Sequence, residues 1–185
     1  VKGRRRRFTQ AVVRQRELIE RLARHDVPLV IIEPAVALLG AHEYAAIDSS
    51  FPSGATTSLA EFLAPRLAAL PAAAGRGNKG AVQLFGHCTE VSLAPEWMDV
   101  YRSMLEAAGF DVQTEATTCG GMAGVFGHEA ESQEMSTALF TMGWRPKLES
   151  GCPVYRCASG YSCRGQARRF GHTLTHPVQV LAAAL

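Results

Sequence analysis

Cys88, Cys119 and Cys163 are the residues of this 185-residue sequence best suited to chemistry. Each stands beside an apolar run and within a glycine-containing phrase: Ala81-Val-Gln-Leu-Phe-Gly-His-Cys, Cys119-Gly-Gly-Met-Ala-Gly-Val-Phe-Gly-His-Glu-Ala, and Ala158-Ser-Gly-Tyr-Ser-Cys-Arg-Gly-Gln. Soft thiolates hold iron–sulfur clusters and zinc, so three cysteines brought together suit either. Thirty residues separate Cys88 from Cys119, enough for a loop, a crossover helix and the next strand, so a local chelating turn is excluded. In a parallel α/β sheet the loops leaving the carboxyl ends of the strands share one edge. The three cysteines are expected to meet there, with sulfurs within roughly 10 Å if they are to share ligation at ~2.3 Å per bond.

A fourth ligand could come from His87, His128 or Cys157. An imidazole would complete a tetrahedral zinc shell, and a three-cysteine cluster would need one non-cysteine ligand. The competing reading is that these thiols are small buried hydrophobes and that no metal is bound. Cys157 lies inside a predicted strand and reads first as a core thiol. Cys152 precedes that strand, at the opposite edge. His128 follows Gly127 at a loop-to-helix transition, where it could meet an anion or a proton in transit, or simply sit beside Glu129 and Glu131 in solvent. His172 and His176 read as packing residues at a helix boundary. Arg164 could stabilise charge on a thiolate or cluster, or lie on the surface.

The elements that must position these residues follow from periodicity. Apolar Phe8, Ala11, Val12, Leu18, Ile19 and Leu22 predict an amphipathic helix over 8–24, followed by a strand at 29–32 and a short helix over 35–39. Residues 49–54 read as a loop. A helix is expected from Thr57 or Ser58 to Leu70, with Ser58 and Glu61 in a capping box. Pro71 to Gly80 is glycine-rich and aperiodic, hence a linker. Beyond it come strand 81–87, helix 95–108, strand 110–117, helix 126–142, strand 153–158, helix 163–170 and a terminal helix from Pro177. Strands alternating with helices predict an α/β fold, a parallel sheet flanked by helices with right-handed crossovers. The expected division is 1–70, mostly helical; 71–80, linker; and 81–185, an α/β domain. The helix–strand–proline order on both sides of the linker hints at an internal duplication.

Composition narrows the function. Charged residues make up 19% and hydrophobic ones 47%, and the formal charge is +2. No apolar run reaches the roughly 18 residues of a membrane span, and no basic–aromatic stacking pattern suggests nucleic acid. The arginine run from Arg4 to Arg7 reads as a solvated helix start. Five cysteines among glycine loops fit a reducing cytoplasm better than a disulfide framework. The sequence begins with Val rather than Met, the expectation for a piece of a longer protein. There is no Ser/His/Asp arrangement and no P-loop, and the glycine run after Cys119 fails the dinucleotide spacing, so a complete oxidoreductase site is not encoded.

The phrases Phe85-Gly-His-Cys-Thr-Glu, Cys119-Gly-Gly-Met-Ala-Gly-Val-Phe-Gly-His-Glu-Ala-Glu, Ser159-Gly-Tyr-Ser-Cys-Arg-Gly-Gln and His176-Pro-Val-Gln resemble the carboxyl-terminal, cysteine-rich CCG-like domain of FAD-linked D-2-hydroxyacid dehydrogenases. That family includes the D-lactate and D-2-hydroxyglutarate dehydrogenase type, and the wider pattern recurs in heterodisulfide reductase and glycolate oxidase. The resemblance implies CCG-type half-repeats with the first truncated, and an iron–sulfur cluster near Cys88, Cys119 and Cys163. It also implies FAD in another part of the protein, with flavin and ferredoxin-like domains as partners. Gly120 and Gly160 depart from the pattern, standing where the family carries cysteines. Those departures favour a fragile cluster, zinc, or a metal-free docking module.

Overall fold

The computed structural model describes residues 3–70, 78–151 and 153–184. Most of the linker proposed for 71–80, and Cys152, lie outside the described residues. The chain forms two compact units, residues 1–62 and 63–185.

The first unit opens with α1 (Arg5–Leu22), on which Val12 is the buried residue. Strand β1 (Leu29–Ile31) follows, then α2 (Pro34–Leu38) with proline in its first turn, where a missing N–H costs nothing. A widened π turn at Leu39–Glu43 leads into α3 (Tyr44–Ile47). Strand β2 (Thr56–Ser58) pairs in parallel with β1, Val30 opposite Thr57. Helix α4 (Leu59–Leu63) closes the unit, and the chain enters the second unit through a 3-10 turn over Ala64–Ala69. The expected capping box is present: Ser58 N–H donates to Glu61 Oε2 at 2.8 Å and Glu61 N–H to Ser58 Oγ at 3.1 Å. Where one long helix was expected there is instead a strand, one α-turn and a tighter turn containing Pro65.

The second unit is built on a three-stranded parallel sheet. Its elements are β3 (Ala81–Phe85), α5 (Cys88–Leu93), α6 (Glu96–Ala107), β4 (Asp111–Glu115), α7 (Gln133–Gly143), α8 (Arg145–Leu148), β5 (Tyr155–Ala158), α9 (Tyr161–Arg169) and α10 (Pro177–Ala184). The strand order is β4-β3-β5, with Phe85 opposite Glu115 on one side and Ala158 on the other. The α/β expectation is met. β3 is central and carries the buried run Val82-Gln-Leu-Phe, whereas β4 is an edge strand with exposed Asp111, Gln113 and Thr114. Because β3 connects to β4 on one side while β4 must cross to β5 on the other, right-handed crossovers put α6 and α7–α8 on opposite faces.

Packing agrees with this layout. On one face Phe85 and Ala158 join Phe140, Trp144, Leu148, Cys163 and Ala167 in a single core. Phe85 stacks on Trp144 at 5.1 Å between ring centroids. On α6, within the expected helix 95–108, Trp97, Met98, Tyr101, Met104 and Leu105 are buried. The helix expected from residue 126 starts at Gln133, after two 3-10 turns at Phe126–His128 and Ala130–Ser132 separated by extended Glu129.

Gly121 shows why the loop after β4 is rich in glycine. Its φ is +87°, and a Cβ there would lie 2.4 Å from the Ser136 carbonyl oxygen on α7. Only glycine lets the chain turn so close to the helix.

Candidate functional site

The carboxyl ends of β3, β4 and β5 converge as the parallel topology requires, and the cysteine-bearing segments leave from that edge. His87 is the N-cap of α5 and Cys88 its first residue. This six-residue helix was not expected. The His87 ring accepts the Thr89 N–H at 3.3 Å through Nδ1, which also contacts Thr89 Oγ1 at 2.7 Å. The His87 N–H is shared between Glu90 Oε2 at 3.1 Å and Ser159 Oγ at 3.3 Å.

Cys119 stands four residues beyond Glu115, the end of β4, and its sulfur accepts the Gly121 N–H at 3.3 Å. The Cys88 and Cys119 thiols are electrostatic neighbours. Burial raises the Cys88 thiol above its ordinary range, and the neighbouring Cys119 sulfur raises it further. Both are half-buried.

Cys163 lies in the first turn of α9, which starts two residues before the expected 163, and it is buried. It meets His87 across Gly160. A Cβ on Gly160 would fall 2.4 Å from His87 Cδ2 and 3.2 Å from Cys163 Sγ, so the imidazole occupies the space that a side chain at 160 would need. Ser162 Oγ lies 3.4 Å from His87 Nε2. The donors therefore stand as two pairs, Cys88 with Cys119 and His87 with Cys163. They suit a soft metal in kind, as thiols and an imidazole. Among the described residues no three His, Cys, Asp or Glu side chains are disposed to hold one metal ion.

The other candidates are placed elsewhere. Cys157 is fully buried in β5, opposite Leu84; its thiol donates to the Gln83 carbonyl at 3.6 Å, and burial pushes it up to about 12. It is a core thiol. His128 is exposed on its 3-10 turn. Arg164 donates to the Ala158 and Ser159 carbonyls, both at 2.6 Å, and so ties the end of β5 to α9.

Sequence reasoning did not single out Glu90, Ser159 or Trp144. Glu90 and Ser159 are both fully buried, and the Ser159 hydroxyl donates to Glu90 Oε2, joining the β3 and β5 ends. A His-x-x-Glu spacing at the end of a strand was the available signal, had histidine been admitted as a capping residue. Trp144 Nε1–H donates to the Thr118 carbonyl at 2.9 Å and holds the residue before Cys119.

His176 repeats the capping pattern at α10. Its N–H donates to Gln179 Oε1 at 3.0 Å, and its Nδ1 accepts the Val178 N–H at 3.3 Å. Burial, and then the Arg164 charge, lower it from 6.5 to about 4. The unfolded chain therefore takes up a proton over this interval that the fold refuses. The resulting stabilisation is complete above pH 6.5 and drains away as the pH falls towards about 4. It amounts to at most about 3 kcal/mol. His176→Gln is expected to flatten the dependence of the urea midpoint on pH in that window; an unchanged slope would show that His176 is not its source.

Comparison with known proteins bears on this edge. No family model matches the chain, and no solved structure matches it. Curated sequences do. The chain is 34% identical over 197 residues to the D-2-hydroxyglutarate dehydrogenase of Haemophilus influenzae, covering 100% of the chain and 19% of that protein. The whole chain resembles one segment of a larger dehydrogenase. The enzymes of the same name from Escherichia coli and Pseudomonas putida are 33% and 34% identical, over 98% and 94% of this chain and 18% and 17% of their own lengths. The chain thus spans less than a fifth of the curated relatives it matches. No helix among the described residues is long and apolar enough to cross a membrane.

Proposed function

We propose that this chain is the cysteine-bearing segment of a FAD-linked dehydrogenase of the D-2-hydroxyglutarate type, acting in the cytoplasm. Oxidation of the D-2-hydroxy acid takes place at a flavin carried elsewhere in the protein, and this segment supplies a thiol-rich edge beside the electron path. The observation that carries the reading is the full-length similarity to one segment of dehydrogenases bearing that name.

To hold an iron–sulfur group, Cys88, Cys119 and Cys163, with His87 as the non-cysteine ligand, would have to be drawn from their two pairs into one shell. Such a group, when bound, supplies one-electron transfer. The contribution of the chain itself is positional. Glu90 and Ser159 fix the His87 backbone, Gly160 leaves room for the imidazole, and Trp144 anchors the segment before Cys119.

A second reading, a zinc-stabilised or metal-free docking module, draws support from the separation of the donors into two pairs. Leu93, Val125 and Tyr161 are 61%, 60% and 74% exposed on the segments that leave the same sheet edge, an apolar rim suited to covering by the flavin or ferredoxin-like domains.

Iron, acid-labile sulfide and zinc analysis of anaerobically prepared chain separates the two. The expected result is iron with sulfide that declines in air to apo or zinc-bound protein, with Cys119→Ser retaining markedly less. Full iron occupancy that survives both air and Cys119→Ser would overturn the ligand assignment. Anaerobic protein without iron would favour the docking module.

A further inference from the structure

We propose that Cys88 and Cys119 form a reversible disulfide, closed by exchange with a small-molecule disulfide of the glutathione class. Three observations place the pair. Phe85 and Glu115 are register partners on adjacent strands, and the cysteines follow them by three and four residues. Parallel neighbours run ~4.8 Å apart, so the two segments leave the sheet side by side, Cys88 opening α5 and Cys119 in the loop after β4. The Cys119 sulfur is near enough to the Cys88 thiol to raise it. Both are half-buried and so open to an external reagent, whereas Cys157 and Cys163 are buried.

The exchange balances. Cys119 Sγ loses its proton to solvent and attacks one sulfur of the external disulfide, whose S–S bond breaks; the departing thiolate takes up a proton. The Gly121 N–H directed at Cys119 Sγ provides a donor for charge developing on that sulfur. Cys88 Sγ then loses its proton, attacks Cys119 Sγ of the mixed disulfide and expels the second thiolate, which is protonated in turn. The chain loses two electrons and two protons, and the external disulfide becomes two thiols.

Closure would tie the start of α5 to the loop after β4. It would also remove two of the three thiolates proposed as metal ligands, making disulfide and metal alternatives at one edge. The pairing itself does not depend on the metal reading.

The test uses the full chain, reduced and stripped with a chelator, then equilibrated in glutathione mixtures of rising oxidised fraction. The protein is acid-quenched, unfolded and labelled with a maleimide. Wild type is expected to fall from five reactive thiols to three, without glutathione adduct, and peptide mapping should join Cys88 to Cys119. Cys88→Ser and Cys119→Ser should each form no internal disulfide and carry glutathione on the remaining partner. Five free thiols under fully oxidised glutathione, glutathione adducts alone on wild type, or a bond joining any other pair would overturn the proposal. If a serine variant does not fold, the wild-type map decides alone. Because metal is removed first, a negative result here leaves the iron analysis standing, and a negative iron analysis leaves this one standing.

Discussion

Replacing Trp144 with alanine is expected to lower the unfolding free energy by about 3–5 kcal/mol, the range for deleting a large buried aromatic. The side chain is 1% exposed and stacks between Phe85, at 5.1 Å, and Phe140, at 6.3 Å. Its removal leaves a cavity against the central strand and strips the Thr118 carbonyl of its 2.9 Å donor. Trp144→Phe divides these effects. It keeps most of the stacking and loses the donor, so about 1–2 kcal/mol is expected. Urea denaturation gives both values. Cys119 lies one residue beyond Thr118, so both variants should also speed the labelling of Cys119 by a thiol reagent under native conditions. A small loss for Trp144→Ala, under about 1 kcal/mol, would mean that the core closes over the gap and that Trp144 does not hold the loop.

That the tryptophan reaches the cysteine loop at all was not legible in the sequence, and the reason is instructive. β3 and β5 were readable because buried strands show as short apolar runs. The parallel order then brings the carboxyl ends together without further information. β2 was not readable: Thr56-Thr-Ser is three polar residues long and owes its state to pairing with β1. α5 was missed because it is six residues long and capped by histidine in place of serine or aspartate. The late start of α7 has a local cause, the extended backbone at Glu129 between two 3-10 turns. At the site, strand order accounts for Cys88 and Cys119 lying near one another. The partition into two pairs depends on where the His87 ring goes, and that is decided by Gly160, more than seventy residues away.

Glu90 is the other position where a single change should be felt widely. Its side chain is fully buried, and Oε2 accepts from the His87 N–H at 3.1 Å and from the Ser159 hydroxyl. A carboxylate accepting from two buried donors joins α5 to the end of β5 at the point where His87 and Cys163 meet. Glu90→Ala removes the acceptor and leaves a cavity; the His87 N–H keeps Ser159 Oγ at 3.3 Å, but the serine hydroxyl loses its carboxylate. A loss of about 3 kcal/mol is expected. Glu90→Gln preserves the shape and one oxygen, and should cost about 1–2 kcal/mol, because its NH2 group must be placed in a fully buried site. The order of the two variants carries the argument. If packing alone mattered, glutamine would be neutral and alanine costly. If glutamine costs as much as alanine, the hydrogen bonds rather than the filled volume hold the junction. Should neither variant shift the urea midpoint, the Glu90 network does not support the site, and His87 is positioned by its other contacts, Ser159, Thr89, Ser162 and Gly160 among them.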